Sequence, residues 1–425
     1  MVFHPREGWS EGGVRRPRDD AGMSRRDFLS AAGSGAAALG LGGLLAACGG
    51  TAKGSTGTGG TNAGNGGIPL ARPGSPVKWP IYSDNKPIAS NLAIEEGADL
   101  QVYNWVAYIN PQVIKDFEKK FKCKVTVTTF NTMSEALSKL ATHEIPFDVF
   151  FPTIDVLGPL IETKVISPMN HSYVPNIVNA WPEFTNPFYD QAWQYTVPYT
   201  IYTTGIAWRK DHVDINPYQL ANGWDMPWMG AKYKGKVAIL DDYREGISLG
   251  LLRNGVYDLN TTDTSKVAAS LQALQELQSA TAVQIDNNDY TNLPGGKIWI
   301  HHAWSGDIAS AANYMQKGVS VDVVGYWFPT DGRGPVANDL ISLVNGGKYP
   351  VLAHTFINYM LGVNTVFENI SWNGYMQPLS AVTPQALVSQ QILPPSLMST
   401  AVVPSYFDRG IMELEIDAAA TANWE

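Results

Sequence analysis

Apolar and polar residues alternate along the chain in a pattern that predicts strands and helices in turn from residue 100 onwards. Short apolar runs predict strands at 100–104, 124–130 and 147–151, and apolar residues at helical spacing predict a helix at 111–121. Thr132 and Glu135 form a capping-box pattern, which predicts a second helix ending near Leu140. The order strand, helix, strand, helix, strand indicates a mainly parallel sheet with helices on both faces.

The same alternation returns after an aromatic, loop-like segment at 181–199. The elements predicted there are strands at 205–208, 236–240, 298–302, 321–325 and 340–344, helices at 245–253, 264–279, 307–315 and 350–361, and a loop at 372–375. Two α/β blocks with a final segment left over predict a chain that crosses between two lobes more than once. Such an arrangement forms a hinge.

Charged residues end the apolar run at 237–240, where Asp241, Asp242, Arg244 and Glu245 follow it. In open α/β sheets, ligands bind at the carboxyl ends of strands. Carboxylates at that position, in a chain with 13 Trp and 19 Tyr, predict a site for a small cation. The alternative is that these charges only cap a helix beginning near Glu245, because acids are favoured at helix N-termini.

The composition is that of a globular protein large enough for two domains, with 425 residues of which 44% are hydrophobic and 16% charged. A net charge of −9 without a basic stripe argues against a nucleic-acid partner. His301 and His302 are adjacent on a predicted strand and point to opposite faces, so we expect no metal site there. No cofactor is expected either. An anchored hydrolase using the acids at 241–245 as general acid and base remains an alternative of another class.

The first 47 residues are interpreted as an export signal. Residues 24–29 (SRRDFL) resemble a twin-arginine signal, and 45–48 (LAAC) resemble a lipobox in which Cys48 is lipidated. Met23 is an alternative translation start to Met1. Residues 48–71 form a Gly/Thr-rich tether that cannot bury enough surface to fold, and 72–98 form an extended lead-in. Since Cys123 is then the remaining thiol, no disulfide is expected.

An ordered set of short motifs resembles a known family. The motifs are VYNWVAYI at 102–109, FDVFFPT at 147–153, YTVPY at 195–199, YKGK at 233–236, the acids at 241–245, WSGD at 304–307 and GY at 374–375. Together they span about residues 100–378 and resemble the extracytoplasmic polyamine-binding proteins of ABC importers, of the spermidine/putrescine type. These belong to the type II periplasmic-binding-protein superfamily.

The resemblance implies an α/β fold of two lobes, each a mainly parallel sheet flanked by helices, with a ligand cleft between them. Lobe 1 would comprise 99–203 and about 339–385, and lobe 2 would comprise 204–338 and about 386–425. The expected protein is a monomeric, lipid-anchored receptor on the outer face of the bacterial cell membrane. It captures a polyamine and delivers it to an ABC permease in that membrane. An alternative of the same class binds another organic cation or small solute.

The family's cleft residues are carried over position by position. The ligand-binding residues implied in this way are Trp105, Tyr108, Thr153, Asp242, Glu245, Trp304, Asp339 and Tyr375.

Three departures from the family pattern change the expected cleft. Val106 and Ala107 stand where the family has a hydroxyl residue and an acid, and Asp155 stands where it often has a Tyr. The aromatic residue that the family has two positions before Asp339 is also lacking. We therefore expect a cleft that is wider, or one that is shaped for a different amine.

Overall fold

The computed structural model describes residues 67–142 and 145–409. The predicted signal, the Cys48 lipidation position and the tether up to residue 66 lie outside the described residues, as does the chain after 409. The predicted lead-in at 72–98 is largely irregular, with isolated bridges between Arg72 and Ser75 and between Tyr82 and Asn85. Trp79 fixes this segment, because its indole is buried and donates to the Tyr189 carbonyl over 2.8 Å.

Strands and helices alternate through the described residues. The strands are β1 (Asp99–Trp105), β2 (Lys124–Phe130), β3 (Val149–Phe150), β4 (Ile166–Ser167), β5 (Thr196–Arg209), β6 (Val237–Ile239), β7 (Gln284–Ile285), β8 (Ile300–Trp304), β9 (Val324–Trp327) and β10 (Val336–Val344). The helices are α1 (Pro111–Phe121), α2 (Met133–Thr142), α3 (Leu157–Glu162), α4 (Met226–Met229), α5 (Tyr243–Arg253), α6 (Thr264–Thr281), α7 (Asp289–Asn292), α8 (Ser305–Ala309), α9 (Pro350–Met360), α10 (Val363–Asn373), α11 (Pro384–Ser389) and α12 (Pro404–Arg409). Short 3-10 turns connect many of them.

The strands form one sheet with the order β2-β1-β3-β10-β5-β8-β6-β7, in which β4 also pairs with β10 and β9 with β5. Two parallel blocks, β2-β1-β3 and β8-β6-β7, lie at its two ends. Antiparallel pairings of β10 and β5 join the two blocks. The predicted α/β fold class is confirmed. The prediction of mainly parallel sheets did not include the antiparallel pairings of β10 and β5.

The long strand β5 pairs with different strands along its length. Up to Thr203 it pairs with β10, and from Thr204 it pairs with β8 and β9. A separate hydrophobic cluster follows this change of partners, since Ile206 and Trp208 pack with residues of the β6 and β8 block rather than with the larger core. The lobe boundary at 203–204 and the full division into lobes stay predictions.

Several predicted elements are confirmed within a residue or two, including β1, α1, β2 and α6. The loop predicted at 181–199 is wrong at its end, because β5 already begins at Thr196. The loop predicted at 372–375 is wrong at its start, because Trp372 lies inside α10, a helix that the sequence reasoning missed. That helix ends at Gly374, whose φ of 79° lies in the left-handed region that glycine adopts readily.

Candidate binding site

A cavity open to solvent lies between the two blocks of the sheet, with an empty volume of about 1730 Å³. All of the residues carried over from the family line this one cavity. They are Trp105, Tyr108, Thr153, Asp242, Glu245, Trp304, Asp339 and Tyr375. The structure thus brings together every predicted site residue within its described part.

Strand ends bring these residues together from distant parts of the sequence. Trp105 is the last residue of β1, Thr153 follows β3, and Trp304 is the last residue of β8. Asp242 lies just after β6 and directly before α5. Because parallel strands in each block end at the same edge, side chains that follow them meet in one crevice.

Asp339 lies at the buried inner end of the cavity and is 4% exposed. Tyr108 donates a hydrogen bond of 2.6 Å to its Oδ2, and Tyr202 donates a longer one of 3.4 Å to Oδ1. Burial raises the pKa of Asp339 to about 6, the hydrogen bond from Tyr108 lowers it, and the charge of Asp155 raises it. Both donors are neutral hydroxyl groups, so neither balances the negative charge of an ionised Asp339. A buried carboxylate without a positive partner favours binding of a cation.

Aromatic rings line the cavity beside Asp339. The Tyr375 ring packs edge-to-face against Tyr108 and Tyr202, with centroid separations of 5.1 and 5.4 Å. Trp105 packs against Phe130 with its centroid 4.6 Å away. Rings held by other rings present fixed, electron-rich faces, which attract cations.

Asp242 combines the two roles that the sequence left open. As the N-cap of α5, its Oδ1 accepts hydrogen bonds from the backbone N–H groups of Arg244 and Glu245. Its side chain nevertheless faces the open cavity and is exposed to water. The surrounding protein walls raise the pKa of Asp242, its backbone hydrogen bonds lower it, and the charge of Asp155 raises it further. Capping and lining the cavity are therefore compatible roles for this residue.

Glu245 fixes the orientation of Trp304. Its Oε1 accepts hydrogen bonds from the Trp304 indole over 2.7 Å and from Thr204 Oγ1 over 2.8 Å. Glu245 is 6% exposed, so these charge-assisted bonds lie mostly away from water. The contact joins α5, β8 and the point at which β5 changes partners.

A pair of carboxyl groups, Asp289 and Asp307, lies next to Trp304. Asp289 is fully buried, and its Oδ2 accepts a hydrogen bond of 3.1 Å from the Trp304 backbone N–H. Burial raises the pKa of Asp289 well above its ordinary range, and the charge of the neighbouring Asp307 raises it further. A proton on Asp289 lets the two carboxyl groups lie side by side.

The cavity also contains residues that sequence reasoning did not assign to the site, among them Asp155, Tyr202, Tyr290 and Asp307. Asp307 belongs to the quoted WSGD motif, so the motif itself was the available signal. Tyr202 lies on β5 two residues beyond Thr200, and the alternation of a strand would have placed both on one face. Asp155 was noted only as a departure from the family.

Within residues 67–142 and 145–409, no three His, Cys, Asp or Glu side chains are grouped so that they could hold a metal ion. His301 and His302 are both buried in β8. Nε2 of His301 lies 3.6 Å from Asp286, and burial lowers the pKa of His302 to about 3. His302 is therefore neutral at physiological pH.

A family model described as bacterial extracellular solute-binding protein matches residues 112–393. This chain belongs to that family. The family consists of solute-binding proteins rather than enzymes, which confirms the prediction of a binding function over the hydrolase alternative. The membership also gives the chain a location outside the cytoplasm.

Individual relatives are similar to this chain in sequence or in fold. The chain is 26% identical over 291 residues to the putrescine/cadaverine-binding protein of Pseudomonas aeruginosa, covering 67% of this chain and 80% of the relative. It is 26% identical over 285 residues to the spermidine/putrescine-binding periplasmic protein of Escherichia coli, covering 67% and 78%. A solved lipoprotein of Treponema pallidum superposes with a TM-score of 0.65 at 20% identity, covering 77% and 98% of the two chains. The structural match confirms the fold of the two-lobed binding proteins.

No helix within residues 67–142 and 145–409 is both long enough and apolar enough to span a membrane.

Proposed function

We propose that this protein is the receptor of an ABC importer and that it captures a polyamine of the spermidine/putrescine class in the cavity between its lobes. The observation that carries the proposal is the composition of the cavity wall. Six carboxyl groups line it, and Arg244 is the single Lys or Arg among the lining residues. Six Trp and Tyr rings complete the wall.

The chemistry of a polyamine matches this wall. The ligand is a chain of methylene groups with ammonium groups along it, so it requires apolar, electron-rich surfaces and anions at intervals. A desolvated cation–π contact contributes about 0.5–2 kcal/mol, and a charge-assisted hydrogen bond contributes about 1.5–3 kcal/mol. An ammonium group taken from water without such partners would cost several kcal/mol.

The relatives support the same ligand class, because the two curated relatives named above are a putrescine/cadaverine-binding and a spermidine/putrescine-binding protein. We propose that all eight residues carried over from the family form the binding site, with the backbone of Thr153 holding the chain beside Asp339. Asp339 and Asp242 would bind ammonium groups, while Trp105, Tyr108, Trp304 and Tyr375 would enclose the methylene chain. Glu245 would act mainly by holding Trp304.

We further propose that the ligand shifts the protein from an open to a closed state, because it contacts both lobes only in the closed state. The closed, monomeric receptor would dock on its permease in the cytoplasmic membrane. The finer localisation rests on the sequence before residue 67, where a twin-arginine pattern, an apolar run and Cys48 follow one another. We propose that Cys48 carries a lipid that anchors the folded part through the Gly/Thr-rich tether. One structural neighbour is itself described as a lipoprotein.

Titration calorimetry tests the proposed ligand. The purified protein is titrated with putrescine, spermidine, spermine and choline, and its melting temperature is measured with each. At least one polyamine should bind saturably and raise the melting temperature by mass action. Tight binding of choline alone would favour the alternative of another organic cation, and binding of none of the four would contradict the proposal. This alternative is considered because Val106 and Ala107 carry no charged group where the family has an acid.

A further inference from the structure

Asp155 is a carboxylate in the cavity wall that the family resemblance does not assign. It lies in the 3-10 turn Ile154–Val156, directly after Thr153. The backbone of Thr153 forms a bridge with Asp339, so the turn is fixed against the buried end of the site. Val106 and Ala107, which follow β1 in the same wall, offer no charge. Asp155 and Asp339 are therefore the acids that this wall supplies.

Within the described part of the chain, the Asp155 side chain makes no hydrogen bond or ion pair, and it is half-buried. The acids near it are Asp242 and Asp339. Asp155 lies close enough to both for its charge to raise their pKa values, in addition to the larger effect of desolvation by the surrounding protein. The charge of Arg244 lowers the pKa of Asp242 by less than the charge of Asp155 raises it. The space between Asp155 and Asp242 is thus negative on both sides.

The two residues belong to different walls. Asp155 follows β3 in the first parallel block, and Asp242 follows β6 in the second. In the sheet β10, β5 and β8 lie between those strands, so the cavity separates the two acids. Like charges that face each other across a cleft oppose its closure, and a cation placed between them removes that repulsion.

We propose that Asp155 and Asp242 bind one ammonium group of the ligand jointly, across the cleft, while Asp339 binds a second one. The proposal rests on the proposed function, because it specifies how that cavity holds a polyamine. It also narrows the ligand class to molecules with at least two ammonium groups. A monoamine fills only one of the two positions and leaves the other carboxylate without a cation. Because the pair spans both walls, its ammonium group would link binding directly to closure.

A double-mutant cycle tests this pair. The variants are Asp155→Asn, Asp242→Asn and the double variant, with Asp258→Asn as a control that removes one exposed charge outside the cavity. Asparagine keeps the size of each side chain, and it remains a good N-cap at position 242. Affinities for putrescine and n-butylamine are measured by calorimetry, together with the melting temperature of each free protein.

Each single variant should bind putrescine about tenfold more weakly than wild type, while the control binds normally. Because both carboxylates hold the same group, the double variant should lose far less than the product of the single losses. Wild type should prefer putrescine to n-butylamine at least about tenfold, and the free variants should melt no lower than wild type.

Three results separate the possible failures. Independent residues would give additive losses within about 0.5 kcal/mol, and such additivity would overturn the shared site. Normal putrescine binding by Asp155→Asn would overturn it as well, while leaving the proposed function intact. If wild type bound no polyamine at all, the proposed function itself would fail, and the pair with it.

Discussion

At the scale of single residues, Asp339 shows how the protein keeps a carboxyl group ready for a cation. The residue is buried, and the hydroxyl groups of Tyr108 and Tyr202 donate to it without bringing a positive charge. Its pKa of about 6 lies above the ordinary value of 3.8. Between these two values the folded protein binds more protons than the unfolded chain, so this group's contribution to stability falls as the pH rises through that window. A bound ammonium group would offset the cost of ionising it.

This raised pKa predicts a pH-dependent affinity. An ammonium group binds the ionised form of Asp339, so the affinity for putrescine should fall about tenfold between roughly pH 7.5 and pH 5 as Asp339 takes up a proton. Calorimetry across this range measures the slope.

Asp339→Asn is the control for that prediction. The variant should bind more weakly at every pH and should show a clearly smaller slope, with the remainder arising from groups such as Asp242, whose pKa is also raised. Identical slopes in the two proteins would show that another group controls the pH dependence.

The residue scale also shows what the sequence can predict. Trp105, Asp242 and Trp304 could be predicted because they end or follow recognisable strands and match family motifs. Asp155 could not be assigned in the same way, since its importance depends on its proximity to Asp242 on the other wall. That proximity arises from the pairing of strands far apart in sequence, which a one-dimensional pattern does not contain.

At the scale of elements, small residues position the aromatic wall. A Cβ atom at Gly306, inside α8, would lie 2.4 Å from the Tyr375 ring. Tyr375 in turn follows Gly374, the left-handed residue at the end of α10. The ring that lines the cavity therefore depends on close contact between α8 and the end of α10.

Gly306→Ala should displace Tyr375 and weaken putrescine binding about tenfold without changing any charge. Overpacking of this kind costs about 1–3 kcal/mol of stability, so the melting temperature should fall as well. Calorimetry and thermal denaturation measure the two effects.

Gly246→Ala in α5 is the matched control. Its new Cβ atom would meet Leu274 only at 4.0 Å, and alanine favours a helix interior by about 1 kcal/mol over glycine. This variant should be more stable than wild type and should bind normally. If both substitutions affected binding equally, the contact between Gly306 and Tyr375 would not be the cause.

The element that sequence reasoning handled least well is β5, because its first residues belong to a segment whose aromatic residues favour a loop. This segment also contains Pro198, which cannot donate a hydrogen bond to a sheet. In the structure, Pro198 lies where the pairing of β5 with β10 shifts register between Asp339 and Leu340. A bulge tolerates proline. The irregularity next to Asp339 thus accommodates the proline within the strand beside the site.

At the scale of the whole molecule, the two cysteines separate the proposed anchor from the folded part. Cys48 lies outside the described residues, while Cys123 is a free, half-buried thiol just before β2. Cys48→Ser should move the protein from the membrane fraction to the soluble fraction, because a stable anchor requires the lipid chains.

Cys123→Ser is the control for this prediction, and it should leave the protein in the membrane fraction. Fractionation followed by immunoblotting distinguishes the two variants. Continued membrane association of Cys48→Ser would contradict the proposed lipid anchor without affecting the proposed ligand.

The exchange of partners along β5 has a mechanical consequence. This strand stops pairing with β10 at Thr203. The chain that leads into β10 still lies beside it there, since the Thr204 N–H donates to the Pro335 carbonyl over 3.1 Å. Two neighbouring chain segments that connect the lobes can bend together much more easily than they can twist. The two lobes would then close in the same relative alignment each time. A membrane partner could therefore distinguish a loaded receptor from an empty one by its shape alone.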